Sequence, residues 1–231
     1  MSRLYLQKLK LLIWLPALLG LAQIILIADI HAEQKTPSIL KLAPGPAWQV
    51  VGIFSGSNTY YTFTKSKQGE AFIHAHYRPP QQTVTLGYRL KNPKPYRYFS
   101  WRWRVGQFPI NADEKIEGHM DNAAAVYLTF ASGLRRYVIK YIWSTKYPPG
   151  ANWRTTSGIL KKMQVVVRQG PPTVTDSWHH ESIVITNEFH RYFGGDIKDK
   201  PPPIAGVGIL SDGDGTRSEV KADYSDFLLY D

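Results

Sequence analysis

Cysteine is absent from all 231 residues. Its absence excludes disulfide staples, thiolate metal sites and a lipid-attachment cysteine. Also missing are a G-x-S-x-G elbow, a phosphate-binding glycine loop after a strand, and an H-E-x-x-H pair. The residues therefore give no support to the common serine-hydrolase, kinase or zinc-protease mechanisms. There is no internal repeat, heptad or low-complexity tract, and helical periodicity is nearly absent. Acidic residues are scarce as well: 18 Asp and Glu stand against 28 Lys and Arg, a formal net charge of +10.

The first 32 residues are the opposite of the rest. Arg3, Lys8 and Lys10 precede an apolar run from Leu11 to Ala28, interrupted by Gly20 and Gln23 and carrying Pro16, with Ala32 shortly after. A charged start, an apolar stretch and a small residue form the pattern of a secretory signal. The run is 18 residues long. That exceeds the roughly 7–15 of a signal core and approaches the ~20 that span a bilayer. A cleaved signal is the first expectation, and an uncleaved inner-membrane tether through residues 11–28 is the second. In both, the remainder lies outside the cytoplasmic membrane, in the periplasm.

Residues 1–32 hold three basic residues and one acidic one, so the remaining 199 carry +8. That excess favours anionic partners such as phosphorylated glycans or lipid headgroups, although a merely soluble basic surface explains it as well. Export removes the usual opportunity for nucleic acid, which is not expected as a partner. Seven Trp and 14 Tyr suit a β-rich core and, where exposed, stacking on sugars.

After a connector at 33–47, short alternating runs are punctuated by Gly, Pro, Asn and Asp. They predict strands at 48–54, 59–65, 70–77, 82–90, 96–105, 123–130, 135–143, 162–168, 181–186, 204–210 and 219–230. One short helix is expected at 188–193, capped by Asn187 and ended by Gly194, with Phe189, Tyr192 and Phe193 on one face. The expected fold is all-β: a single antiparallel, jelly-roll-like β-sandwich over 48–231. In 96–105, Phe99, Trp101, Trp103 and Val105 should face the core. Tyr96, Tyr98, Arg102 and Arg104 should face outward, either as a platform for an acidic ligand or as arginines paired with Asp113, Glu114 or Glu117.

A series of motifs carries a resemblance. It runs from Tyr98-Phe99-Ser100-Trp101-Arg102-Trp103-Arg104-Val105 through Asp121-Asn122-Ala123-Ala124-Ala125-Val126-Tyr127-Leu128 and Tyr141-Ile142-Trp143-Ser144 to the Val165-Val166-Val167 strand. It continues with Glu188 to Gly194, Pro202 to Ile209, Ser211-Asp212-Gly213-Asp214-Gly215-Thr216 and Ala222-Asp223-Tyr224-Ser225-Asp226-Phe227. In this order the motifs resemble the bacterial domain of unknown function 3047 family over roughly residues 48–231. The resemblance implies an exported, predominantly β protein of jelly-roll type and brings no catalytic residues. The family pattern usually has arginine where this chain has Ala125 and asparagine where it has Gly215.

Candidate site residues follow from chemistry. Asp212 and Asp214 alternate in a glycine-rich loop and are candidate calcium ligands, with Asp121, Asp223 or Asp226 as further oxygen donors. The same loop also reads as an ordinary turn whose aspartates accept backbone N–H groups. Asp121 with Asp212 or Asp214 would serve as an acid/base pair for polysaccharide hydrolysis or lysis. Trp143 and Trp153 are candidate stacking platforms. His74 and His76 share a strand face at a spacing that suits zinc or copper, with a third ligand from His119, His179, His180 or a distant Asp, or form a solvated pair. The expected ligand-binding end thus comprises Asp121, Trp143, Asp212, Asp214 and Asp223. The expected function is a non-catalytic module for a glycan or other polar, anionic envelope ligand; a polysaccharide hydrolase or lyase and an envelope-assembly protein are the alternatives.

Overall fold

The period-two alternation in 98–107 sets the architecture. In β6 (Tyr98–Gln107), Phe99, Trp101, Trp103 and Val105 are all buried on one face. In the computed structural model, which describes residues 38–51, 59–156, 161–171 and 176–231, β6 lies within the first of two sheets. That sheet has six strands in the order β11 (His179–Val184), β6, β13 (Val220–Tyr230), β4 (Ala71–Tyr77) and β3 (Tyr61–Lys65), with β1 (Ile39–Lys41) also on β13. The second has seven, ordered β2 (Trp48–Val51), β5 (Thr85–Lys94), β12 (Ile204–Leu210), β7 (Ala124–Ser132), β8 (Arg135–Trp143), β10 (Lys161–Gln169) and β9 (Asn152–Thr156). The signal, tether and cleavage expectations fall on residues 1–37, outside the described residues. Among the described residues no helix is long and apolar enough to cross a membrane.

The inner faces of the sheets meet in an aromatic core. Trp101 of one sheet packs against Tyr141 of the other at 5.1 Å between ring centres, and Trp103 against Trp143 at 5.8 Å. Rings of this size each remove some 150–250 Å2 from water and dominate the favourable side of folding. A chain without disulfides depends on such packing.

Three expectations need correction. The sandwich is not wholly antiparallel, because β10 runs parallel to β8. The chain leaves β8, forms β9 at the sheet edge, and returns as β10 between them, antiparallel to β9. The connector expected at 33–47 contributes β1, and β9 lies where no strand was expected. The helix α1 spans Ile185–Phe193, so Asn187 lies inside its first turn and no side chain caps it. It begins directly off β11 because the Ile185 N–H donates to the Arg97 carbonyl at 2.9 Å, satisfying one of the donors a cap would serve. Gly194 ends it at a φ of 83°.

Candidate functional site

The pairing of β12 with β7 brings distant acids to one end of the seven-stranded sheet. Leu210 lies opposite Ala125, so the residues after β12 meet the residues before β7. Asp212 and Asn122 tie the junction together. The Asp212 N–H donates to the Asn122 carbonyl at 3.0 Å, and the Asn122 N–H donates to Asp212 Oδ1 at 2.7 Å. Asp121, Asp212 and Asp214 each place an oxygen within 4.8 Å of the others.

These carboxylates are not equivalent. Asp121 is 2% exposed, and both its oxygens are engaged. Oδ1 accepts the Gly215 N–H at 3.0 Å, while Oδ2 accepts the Thr216 N–H at 2.7 Å and the Thr216 hydroxyl at 2.5 Å. Asp121 is therefore the fastener of the 211–219 loop, and too enclosed to meet a polymer as an acid or base. Asp212 is 9% exposed, and Asp214 reaches solvent. Burial pushes the Asp212 carboxyl up to about 7 against the pull of Lys140 and the Asn122 N–H, with the charges of Asp121 and Asp214 adding to the rise. For a cation, Asp212 and Asp214 would be the available donors, with at most one lone pair left on Asp121 Oδ1.

The remaining site residues lie elsewhere. Trp143 is 1% exposed and donates its indole N–H to the Gly170 carbonyl at 3.1 Å, so it is core and offers no stacking face. Asp223 belongs to the outer face of the six-stranded sheet. There Arg104 donates to it at 2.7 Å, and the His74 ring lies 2.6 Å from its other oxygen. His76 is held by Glu219 instead, so each histidine engages its own carboxylate. They line no metal cluster among the described residues. Arg102 pairs with Asp226 and Glu70, and Arg104 with Asp223, rather than with Asp113, Glu114 or Glu117. Asp113 and Glu114 instead fix the 108–122 loop to the 144–147 turn through Lys146, Tyr147 and Thr145.

A feature that sequence reasoning missed lies on the outer face of the seven-stranded sheet. Residues in register across neighbouring strands share a face. The registers join Gln49, Gly87, Gly208, Tyr127, Lys140, Val165 and Trp153 in one continuous row. At about 4.8 Å per strand the row is roughly 29 Å long. Tyr127, Lys140 and Trp153 are half-buried. The Lys140 ammonium lies 5.5 Å from the Tyr127 ring centre, and the Lys115 ammonium 4.8 Å from that of Trp153. Burial disfavours the Lys140 charge, yet Tyr127, Asp212 and Glu114 outweigh it and raise its proton affinity. Below the row, beside β5, β12 and β7, lies a cleft of about 1360 Å3 whose lining includes Gly87, Arg89, Thr129, Arg136 and Gly206. A side chain at Gly206 would put its Cβ 2.7 Å from the Tyr88 carbonyl, so close backbone approach keeps that position bare.

No curated protein matches the chain. Among solved structures it is similar to the family 11 carbohydrate-binding module from Clostridium thermocellum in complex with a mixed-linked tetrasaccharide. That likeness is 9% identical, covers 87% of this chain and 92% of that one, and has a TM-score of 0.35. It is also similar to the xyloglucanase domain of NopAA from Sinorhizobium fredii in complex with cellobiose (7% identical, 85% and 99% covered, TM-score 0.38). A third is the catalytic domain of Humicola grisea Cel12A (11% identical, 85% and 86% covered, TM-score 0.38). Likenesses this distant carry nothing about what this chain binds. The family profile described as "Protein of unknown function (DUF3047)" matches residues 46–228, nearly the whole described sandwich, and the chain belongs to that family.

Proposed function

We propose that this chain is an exported, non-catalytic binding protein that takes a glycan across the outer face of its seven-stranded sheet. The row from Gln49 to Trp153 carries the reading. It is long, bare at its glycines and punctuated by two half-buried rings, Tyr127 and Trp153, three strands or roughly 14 Å apart. An extended saccharide has the same make-up, with apolar C–H faces for rings and hydroxyls for intervening polar groups. Acid/base cleavage by Asp121 with Asp212 is not part of the proposal, because both Asp121 oxygens accept bonds from its own loop.

The test uses the full-length chain produced in a Gram-negative host, recovered by cell fractionation and titrated with a panel of neutral and acidic polysaccharides. The expected result is recovery from the periplasmic or inner-membrane fraction, binding without turnover, and at least a tenfold loss of affinity in Trp153→Ala, measured below the variant's own Tm with its fold verified by circular dichroism. A chain that binds none of the panel, or binds equally well without Trp153, refutes the proposal.

A further inference from the structure

We infer that the glycan taken by this face is acidic, and that its carboxylate or sulfate groups are read in the cleft by Arg89, Lys91 and Arg136. The inference rests on the saccharide reading above and narrows it to a charge class. The cleft wall holds these three cations and no acid. Among the described residues no ion pair engages any of them; Arg136 donates through Nη1 to the carbonyls of Gly133 and Arg135.

A basic composition alone does not produce this arrangement. On the outer face of the other sheet, Arg102 and Arg104 are matched by Asp226 at 2.6 Å and Asp223 at 2.7 Å. Those two arginines have acids beside them, and along this cleft the chain supplies none. Unpaired cations along a concave wall raise the local concentration of anions, and guanidinium groups meet carboxylate or sulfate oxygens in a two-pronged fit.

Size and shape select among anions. At about 1360 Å3 the cleft exceeds the roughly 300–1000 Å3 of typical small-molecule sites, which favours a polymer over free phosphate. A concave wall also presents its cations poorly to a flat anionic bilayer. The occupant is therefore an acidic polysaccharide.

The full-length chain would be titrated with polygalacturonate and alginate, with fully methyl-esterified pectin and mixed-linkage glucan as neutral counterparts, and with phosphatidylglycerol vesicles. The expected result is tighter binding to the acidic polymers and a loss of that preference as salt rises from 50 to 500 mM. In the triple variant Arg89→Ser, Lys91→Ser, Arg136→Ser, acidic binding should fall at least tenfold while Tm and residual neutral binding hold. Equal, salt-insensitive binding to neutral and acidic polymers overturns the inference and leaves the glycan reading standing. Absence of binding to every polymer overturns both. Vesicle binding that matches the polymers and disappears in the triple variant assigns the cleft to a membrane and also overturns it.

Discussion

Asp121 holds the 211–219 loop by hydrogen bonds to both oxygens of its carboxylate, which a neutral side chain does not reproduce. Its two oxygens receive three donors from Gly215 and Thr216. Asparagine keeps one acceptor oxygen and turns an NH2 toward donors, so Asp121→Asn should cost about 2 kcal/mol or more, read as a fall in Tm. Gly215→Asn should be comparably damaging by another route: its Cβ would lie 2.5 Å from the Gly118 carbonyl oxygen, and the loop must shift to admit it. If both variants melt like the parent, the loop is not fastened in this way. An asparagine at this position is therefore incompatible with the close approach seen here. Residue types at 211–216 pointed to a carboxylate-rich turn, and that much was legible in the sequence. The role of Asp121 was not, because it depends on which strand β12 pairs with. Nor was the full burial of Trp143 separable from the half-burial of Trp153 by composition; the face of the strand decides.

Elements were legible where alternation is strong. The runs at 135–143 and 204–210 appear as β8 and β12 with the expected bounds. They failed where tertiary partners do the work. In β9, Asn152-Trp153-Arg154-Thr155-Thr156 has a single large apolar residue, and its strand character comes from the ladder to β10. The insertion of β10 beside β8 leaves no local trace at all. Helix α1 makes the same point at its start, where the Arg97 carbonyl replaces a side-chain cap. Asn187 is exposed within the helix. Replacing it with Ala should leave stability unchanged or raise it by about 0.5 kcal/mol through helix propensity. A loss near 1 kcal/mol by chemical denaturation would restore Asn187 as a cap.

For the whole molecule, buried and paired carboxylates set a pH at which the fold is most stable. Burial holds Asp212 up at about 7, and burial also raises Glu188 against the pull of Arg168 and Tyr141. For Asp212, between pH 4 and 7 the unfolded chain gives up a proton that the folded chain keeps, so stability falls as pH rises through that window. Taking about 1.4 kcal/mol per tenfold change in proton affinity, the Asp212 contribution is on the order of 4 kcal/mol at most. Hydrogen bonds from Lys146 and Tyr147 hold Asp113 down at about 2, and those from His76 and Lys221 do the same for Glu219. Their contributions are present above the ordinary carboxylate range and disappear as pH falls toward 2. The two trends cross near pH 4–5, where Tm should peak. Asp212→Asn removes the ionisable group while leaving an oxygen for the Asn122 N–H, so its Tm at pH 8 should exceed the parent's and its alkaline decline should flatten. A divalent cation on Asp212 and Asp214 would favour the ionised carboxylate and flatten the same limb in the parent chain, which makes calcium at pH 8 the matching control. If Asp212→Asn follows the parent's pH profile in calcium-free buffer, Asp212 does not hold its proton in the fold, and the alkaline decline must come from Glu188 or another buried group.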